Sequence, residues 1–101
     1  MNAAFHIGQV VEHLKVSYRG VVYGVDAVFS LDDEWYEQVA RSRPPKDKPW
    51  YHVLVHGCEH TTYVAERHLQ AAAEPAQIEH PMLGRYFDRF DGARYFPKAP
   101  N

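Results

Sequence analysis

The sequence predicts a mainly all-β fold, a small barrel of four or five short strands. Three observations predict it. Aromatic residues make up 14% of the chain, and aromatic and β-branched side chains favour the pleated, half-buried surface of a strand. Short apolar runs alternate with turn residues, with one clear hairpin and no strand–helix–strand rhythm. At 101 residues the chain has material for one domain and one modest core. Barrel closure would remove the exposed sheet edges.

His6 to His13 (HIGQVVEH) alternates in part and predicts the first strand. Tyr18-Arg19-Gly20 reads as a turn, with Gly20 free to take a positive φ. Gly20 to Phe29 is the clearest strand, with Val21, Tyr23, Val25, Ala27 and Phe29 on one face and Gly24 marking a bulge or a tight bend. Residues 30–48 change character. Ser30 or Asp32 caps a short helix running to about Ala40, with acids first and bases last, as the helix dipole favours. Pro44-Pro45 ends it and leaves an exposed basic loop.

Trp50 to His56 predicts the third strand and Thr61 to Ala65 the fourth, joined as a hairpin through Gly57-Cys58-Glu59-His60. Glu66 to Leu69 forms one helical turn, and the alanine-rich Gln70 to Ala76 reads as a linker. Pro81 then opens a helix carrying Leu83, Tyr86, Phe87 and Phe90, stopped by Gly92, before an extended Arg94 to Pro97. This aromatic stripe is expected to pack on the barrel.

Charge and cysteine content narrow the function. The net charge of −2 places any nucleic-acid surface in a local patch, because domains that hold phosphates are usually basic overall. Cys58 is the single cysteine, which excludes an intramolecular disulfide and fits a reducing compartment. Met1 to His13 lacks the layout of a signal peptide, and no apolar run approaches the roughly 18 residues of a membrane span. A cytoplasmic protein with no membrane partner is expected.

No enzyme signature emerges. His52, His56, Cys58 and His60 form a cluster among seven histidines, but no repeated C-x-x-C or H-x-x-H pair is present, and a turn would scatter their directions. Cys58 in that turn lacks the base, orienting group and pocket of a nucleophile. Asp32, Asp33, Glu34 and Glu37 crowd a solvated helix start rather than an apolar cleft. No glycine-rich phosphate loop occurs. Catalytic residues, metal and cofactor are all expected to be absent. The basic run is more informative. Arg41, Arg43, Lys46 and Lys48 with Asp47 carry a local charge of +3, and Trp50 and Tyr51 follow. Such a patch can track a nucleic-acid backbone and stack a base, with Arg19 a neighbour from the preceding turn. A solvated loop is the other reading.

Several blocks in order resemble a known family. They are Phe5 to His13, Tyr18-Arg19-Gly20-Val21-Val22 with Gly24-Val25-Asp26, Asp33-Glu34-Trp35-Tyr36, Pro49 to Val55, and Thr62 to Glu66. Together they are similar to the YccV-like, hemimethylated-DNA-binding domain of the heat shock protein Q (HspQ) family, over about residues 5–70. The His80-Pro81 block and Tyr86 to Tyr95 resemble the ending of some relatives, including a domain attached to certain eukaryotic F-box proteins. The resemblance implies a small SH3-like barrel over 5–70, followed by a linker and aromatic tail over 71–101. It implies two activities, binding of hemimethylated double-stranded DNA or specificity enhancement of the Lon protease on its substrates. It also implies a stress-linked role and self-association, and it transfers no catalytic residue.

Overall fold

The computed structural model describes residues 2–99. Met1 and the last two residues of the 71–101 tail lie outside them. Five strands form one antiparallel sheet: β1 (Val10–His13), β2 (Arg19–Asp26), β3 (Trp50–Val55), β4 (Thr61–Ala65) and β5 (Leu69–Ala71). The spatial order is β4-β3-β2-β1-β5. β4 and β5 are therefore the two sheet edges, although a single 3-10 turn, Glu66–His68, joins them in sequence. The all-β expectation holds. The barrel is not closed by a ladder among the described residues, since β4 pairs only with β3 and β5 only with β1.

Both faces of this sheet are covered, which explains why adjacent valines are buried together. Val11, Val22, Tyr51, Val53, Val64 and Leu69 form the inner cluster, closed by Ala3 and Phe5 from the N-terminal segment. Val10, Val21 and Leu54 face the other way and meet Ile78, Phe87 and Tyr95. Leu83, Tyr86 and Phe90 pack against that second cluster. A third cluster of Tyr36, Trp50 and Ala65, with Phe29, Trp35 and Tyr63 around it, sits under the helix α1 (Asp33–Val39).

Several local expectations are corrected. The first strand begins at Val10 rather than His6, because Gly8 has φ +94 and turns the chain, leaving only a single bridge from Gln9 to Arg94. The positive φ near Tyr18 belongs to Ser17, at +55, not to Gly20. Gly20 lies inside β2, and close approach is what requires glycine. A Cβ there would sit 2.5 Å from Val53 Cγ1 and 2.6 Å from the Leu54 carbonyl oxygen. The bulge expected at Gly24 is present, with register shifting between Val22 and Gly24. That extra residue breaks the predicted single face. Val21 and Tyr23 face the tail, while Val22 and Val25 belong to the inner cluster.

The predicted linker starts with β5, whose Leu69 is buried and whose Ala71 pairs with Val11. The predicted C-terminal helix is only α2 (Leu83–Tyr86). Phe87–Phe90 (β6) and Tyr95–Pro97 (β7) instead form a second, two-stranded sheet, with Gly92 in its turn. The apolar spacing fits a helix, but the bulged β6 presents the same residues to the sheet.

Candidate functional site

The helix α1 forms where expected. Asp32 Oδ1 accepts from Trp35 N at 2.8 Å and caps it. The loop that follows is pinned from below, since the Tyr36 hydroxyl donates to the Pro44 carbonyl at 2.6 Å and Trp50 Nε1 to that of Pro45 at 3.0 Å. The four cations of the loop divide into two pairs. Arg43 folds back onto Glu37 with two hydrogen bonds of 2.9 and 3.0 Å, which hold the Glu37 carboxyl below its usual range. Lys46 Nζ reaches Asp33 at 2.9 Å and lies 4.3 Å above the Tyr36 ring centre. Arg41 and Lys48 are exposed and have no carboxylate partner among the described residues.

Three residues expected at the nucleic-acid patch lie away from its surface. Trp50 is 1% exposed and Tyr51 fully buried, because both faces of β3 are covered. Neither ring is available for stacking. Arg19 is not a neighbour of the loop either. Its carbonyl accepts from His56 N just beyond the far end of β3, while the loop enters at Trp50. Six residues of strand separate the two by roughly 20 Å. The Arg19 guanidinium instead donates to the Ala76 carbonyl at 2.9 Å and ties down the linker.

Beside the loop runs a groove of about 570 Å³ along β4 that the sequence did not announce. One wall carries Leu31, Trp35 and Val39, and the other Val16, Tyr18 and His68. On the first side Tyr63 donates to Asp26 Oδ2 at 2.7 Å, and the same oxygen lies 3.1 Å from His52 Nε2. Burial first, then the Asp26 hydrogen bond, pushes the Tyr63 phenol up to about 12. On the other side His13 and His68 stack with ring centres 5.8 Å apart. Ser42 Oγ lies 2.8 Å from His68 Nε2, and the Arg67 guanidinium donates to the Ser42 carbonyl at 2.7 Å.

His13 Nδ1 accepts from the backbone N–H groups of Lys15 and Val16 at 3.1 and 3.3 Å, which requires that nitrogen to be unprotonated. Burial first, then His68 and Lys15, hold the ring below its ordinary 6.5. The folded pKa is thus depressed. The stabilising contribution is complete above pH 6.5 and is lost as pH falls through the folded value. The melting temperature should therefore fall on acidification below that point. His13→Gln should flatten the decline, read by circular dichroism across a pH series; an unchanged slope would remove His13 from the effect.

His56, His80 and Cys58 are engaged separately. His56 Nδ1 accepts from Glu79 N at 2.9 Å, the His60 carbonyl lies 2.9 Å from His80 Nε2, and Cys58 Sγ is 3.8 Å from the Val55 carbonyl. Among the described residues no three His, Cys, Asp or Glu side chains converge as a metal site. No helix among them is long and apolar enough to cross a membrane.

Among the described residues the site thus combines an unpaired sheet edge, an apolar groove and two exposed cations without a carboxylate partner, features suited to binding. The chain belongs to the YccV-like family, described as "Hemimethylated DNA-binding protein YccV like", which matches residues 3–94. That is a DNA-binding domain family and not an enzyme family. The chain is 34% identical over 102 aligned residues to F-box only protein 21 of Mus musculus, and 33% to the proteins of that name from Pongo abelii and Homo sapiens. Each alignment covers 97% of this chain and 16% of the relative, so the chain spans about a sixth of the length of these curated relatives.

Proposed function

We propose that this domain is a non-enzymatic regulatory module of a reducing, cytoplasmic compartment that binds duplex DNA through Arg41 and Lys48. The family match supports the DNA reading, and the lack of a carboxylate partner for these two side chains among the described residues supports the assignment. Arg43 and Lys46 would have to give up carboxylate partners before meeting a phosphate. Selecting hemimethylated DNA requires an apolar contact with a methyl group in the major groove. The buried Trp50 and Tyr51 cannot supply it, whereas Val39, 56% exposed and two residues before Arg41, can.

The test compares hemimethylated, fully methylated and unmethylated duplexes over a salt series. Replacing both Arg41 and Lys48 with Ala should remove two phosphate contacts and reduce the slope of log K against log salt by about 1.8. Arg43→Ala and Lys46→Ala should change it less. An unaltered slope in the double variant would exclude this surface. The net charge of −2 counts against phosphate binding, and the HspQ resemblance supplies a second reading, an adaptor that increases Lon degradation of chosen substrates. Equal affinity for the three duplexes together with faster Lon proteolysis would select the adaptor.

A further inference from the structure

The free edge of β4 is a slot for another strand. The Val55 N–H donates to the His60 carbonyl at 3.1 Å, which sets the phase of the β3–β4 ladder. In the observed register, Thr62 and Val64 then direct their backbone groups at Val53 and Tyr51. Thr61 and Tyr63 direct theirs away from the sheet. Among the described residues nothing bonds the N–H or C=O of either. An unpaired edge of this kind is a template for an incoming chain.

The flanks of that edge are apolar and open. Val16 is 66% exposed, Val39 56% and Leu31 41%. These are three of the six large exposed hydrophobic residues of the described chain, and all three line the one groove along β4. A strand laid on the edge would send alternate side chains to the two walls. The free edge and the apolar walls therefore call for the same kind of ligand.

The charge around one end sets its sign. His13, His68, Lys15 and Arg67 lie together there. Lys15 lies close enough to act on both imidazoles and Arg67 on His68, and among the described residues no carboxylate acts on either. No carboxylate is bonded to any of the four among the described residues. We propose that the groove takes an extended, acidic segment of a partner protein as an additional strand on β4, with a carboxylate at the His13–His68 end. A duplex fits this slot poorly, because the edge presents N–H and C=O groups at strand spacing between two apolar walls. The inference does not depend on DNA binding at Arg41 and Lys48.

The test titrates isotope-labelled protein with three octapeptides. Each has alternating valine and threonine. The first ends in Asp-Glu-Glu, the second in three lysines, and the third copies the first with alternate backbone nitrogens methylated. The acidic peptide should shift the amide signals of Thr61 and Tyr63, protect them from exchange, and bind roughly tenfold more tightly than the lysine peptide. The methylated peptide should bind at least roughly tenfold more weakly than its parent, since it cannot complete the ladder. Val16→Asp and Lys15→Glu should each weaken the acidic peptide with the melting temperature unchanged, while Arg41→Ala with Lys48→Ala leaves it unaffected. Unmoved Thr61 and Tyr63 signals would overturn the proposal, as would equal binding of the lysine peptide. Protection of those amides in the free protein, with a dimer in sedimentation, would assign the edge to a second copy instead. A hemimethylated duplex that, with no peptide present, shifts the Thr61 and Tyr63 amide signals and protects them from exchange would assign the edge to DNA.

Discussion

Truncation after Ala76 should leave the chain unfolded at room temperature. The segment removed supplies Ile78, Phe87 and Tyr95, exposed by only 2%, 4% and 5%, to the cluster that covers Val10, Val21 and Leu54. Burial of each large side chain contributes about 1.5–3 kcal/mol, so the three together contribute roughly 5–9 kcal/mol. A domain of this size has only about 5–15 kcal/mol to lose. The cut also strips one face of a sheet that is apolar on both sides, and it removes the hydrogen bond from Ile78 N to the Tyr95 hydroxyl at 2.7 Å. Loss of the cooperative thermal transition in circular dichroism is the expected readout. Phe87→Ala gives a graded check, with an expected cost of about 3–5 kcal/mol in urea unfolding. If the truncated chain melted within a few degrees of the parent, the tail would be a docking element and not part of the core.

The strand blocks were legible because their chemistry is local. Trp50 to Val55 and Thr61 to Ala65 carry β-branched and aromatic residues around a turn, and Asp32 announces its helix three residues before the Trp35 N–H it caps. Other features depend on partners far away in sequence. Val21 and Val22 point to opposite clusters, and a strand buried on both faces loses the alternation that would reveal its sides. Ala71 looks like a linker residue until Val11 is placed opposite it. Phe87 and Phe90 fit a helical spacing equally well, and the pairing with Tyr95–Pro97 decides for a strand.

The site was less legible for the same reason. The sequence marks four cations in the 41–48 loop, but only the fold shows that Glu37 and Asp33 engage Arg43 and Lys46. Trp50 follows the basic residues in sequence and points inward in space. The groove joins Val16, Leu31, Val39 and Tyr63 from four separate segments. The available signal was weak: Val16 and Leu31 are apolar residues set in polar stretches where a solvated loop needs none.

Gly8→Ala should destabilise the protein by roughly 2–4 kcal/mol, more than its position in a partly exposed turn suggests. Gly8 has φ +94, a conformation L side chains rarely adopt. An added Cβ would overlap the backbone carbonyl oxygen of Tyr95, and a backbone atom cannot rotate away as a side chain could. The same residue joins three parts of the fold. Its N–H donates to the Val22 carbonyl at 2.8 Å, and its own carbonyl accepts from Tyr95 N at 2.8 Å. Moving it aside would strain the dihedral and loosen both bonds, each worth about 0.5–1.5 kcal/mol net. Tyr95 also belongs to the cluster beneath the tail, so the change should expose that face in part. Urea unfolding of Gly8→Ala against the parent measures the effect, and faster exchange of the Tyr95 amide would locate it. A loss below about 0.5 kcal/mol would mean that the N-terminal turn shifts freely and that the tail is held by its apolar contacts alone.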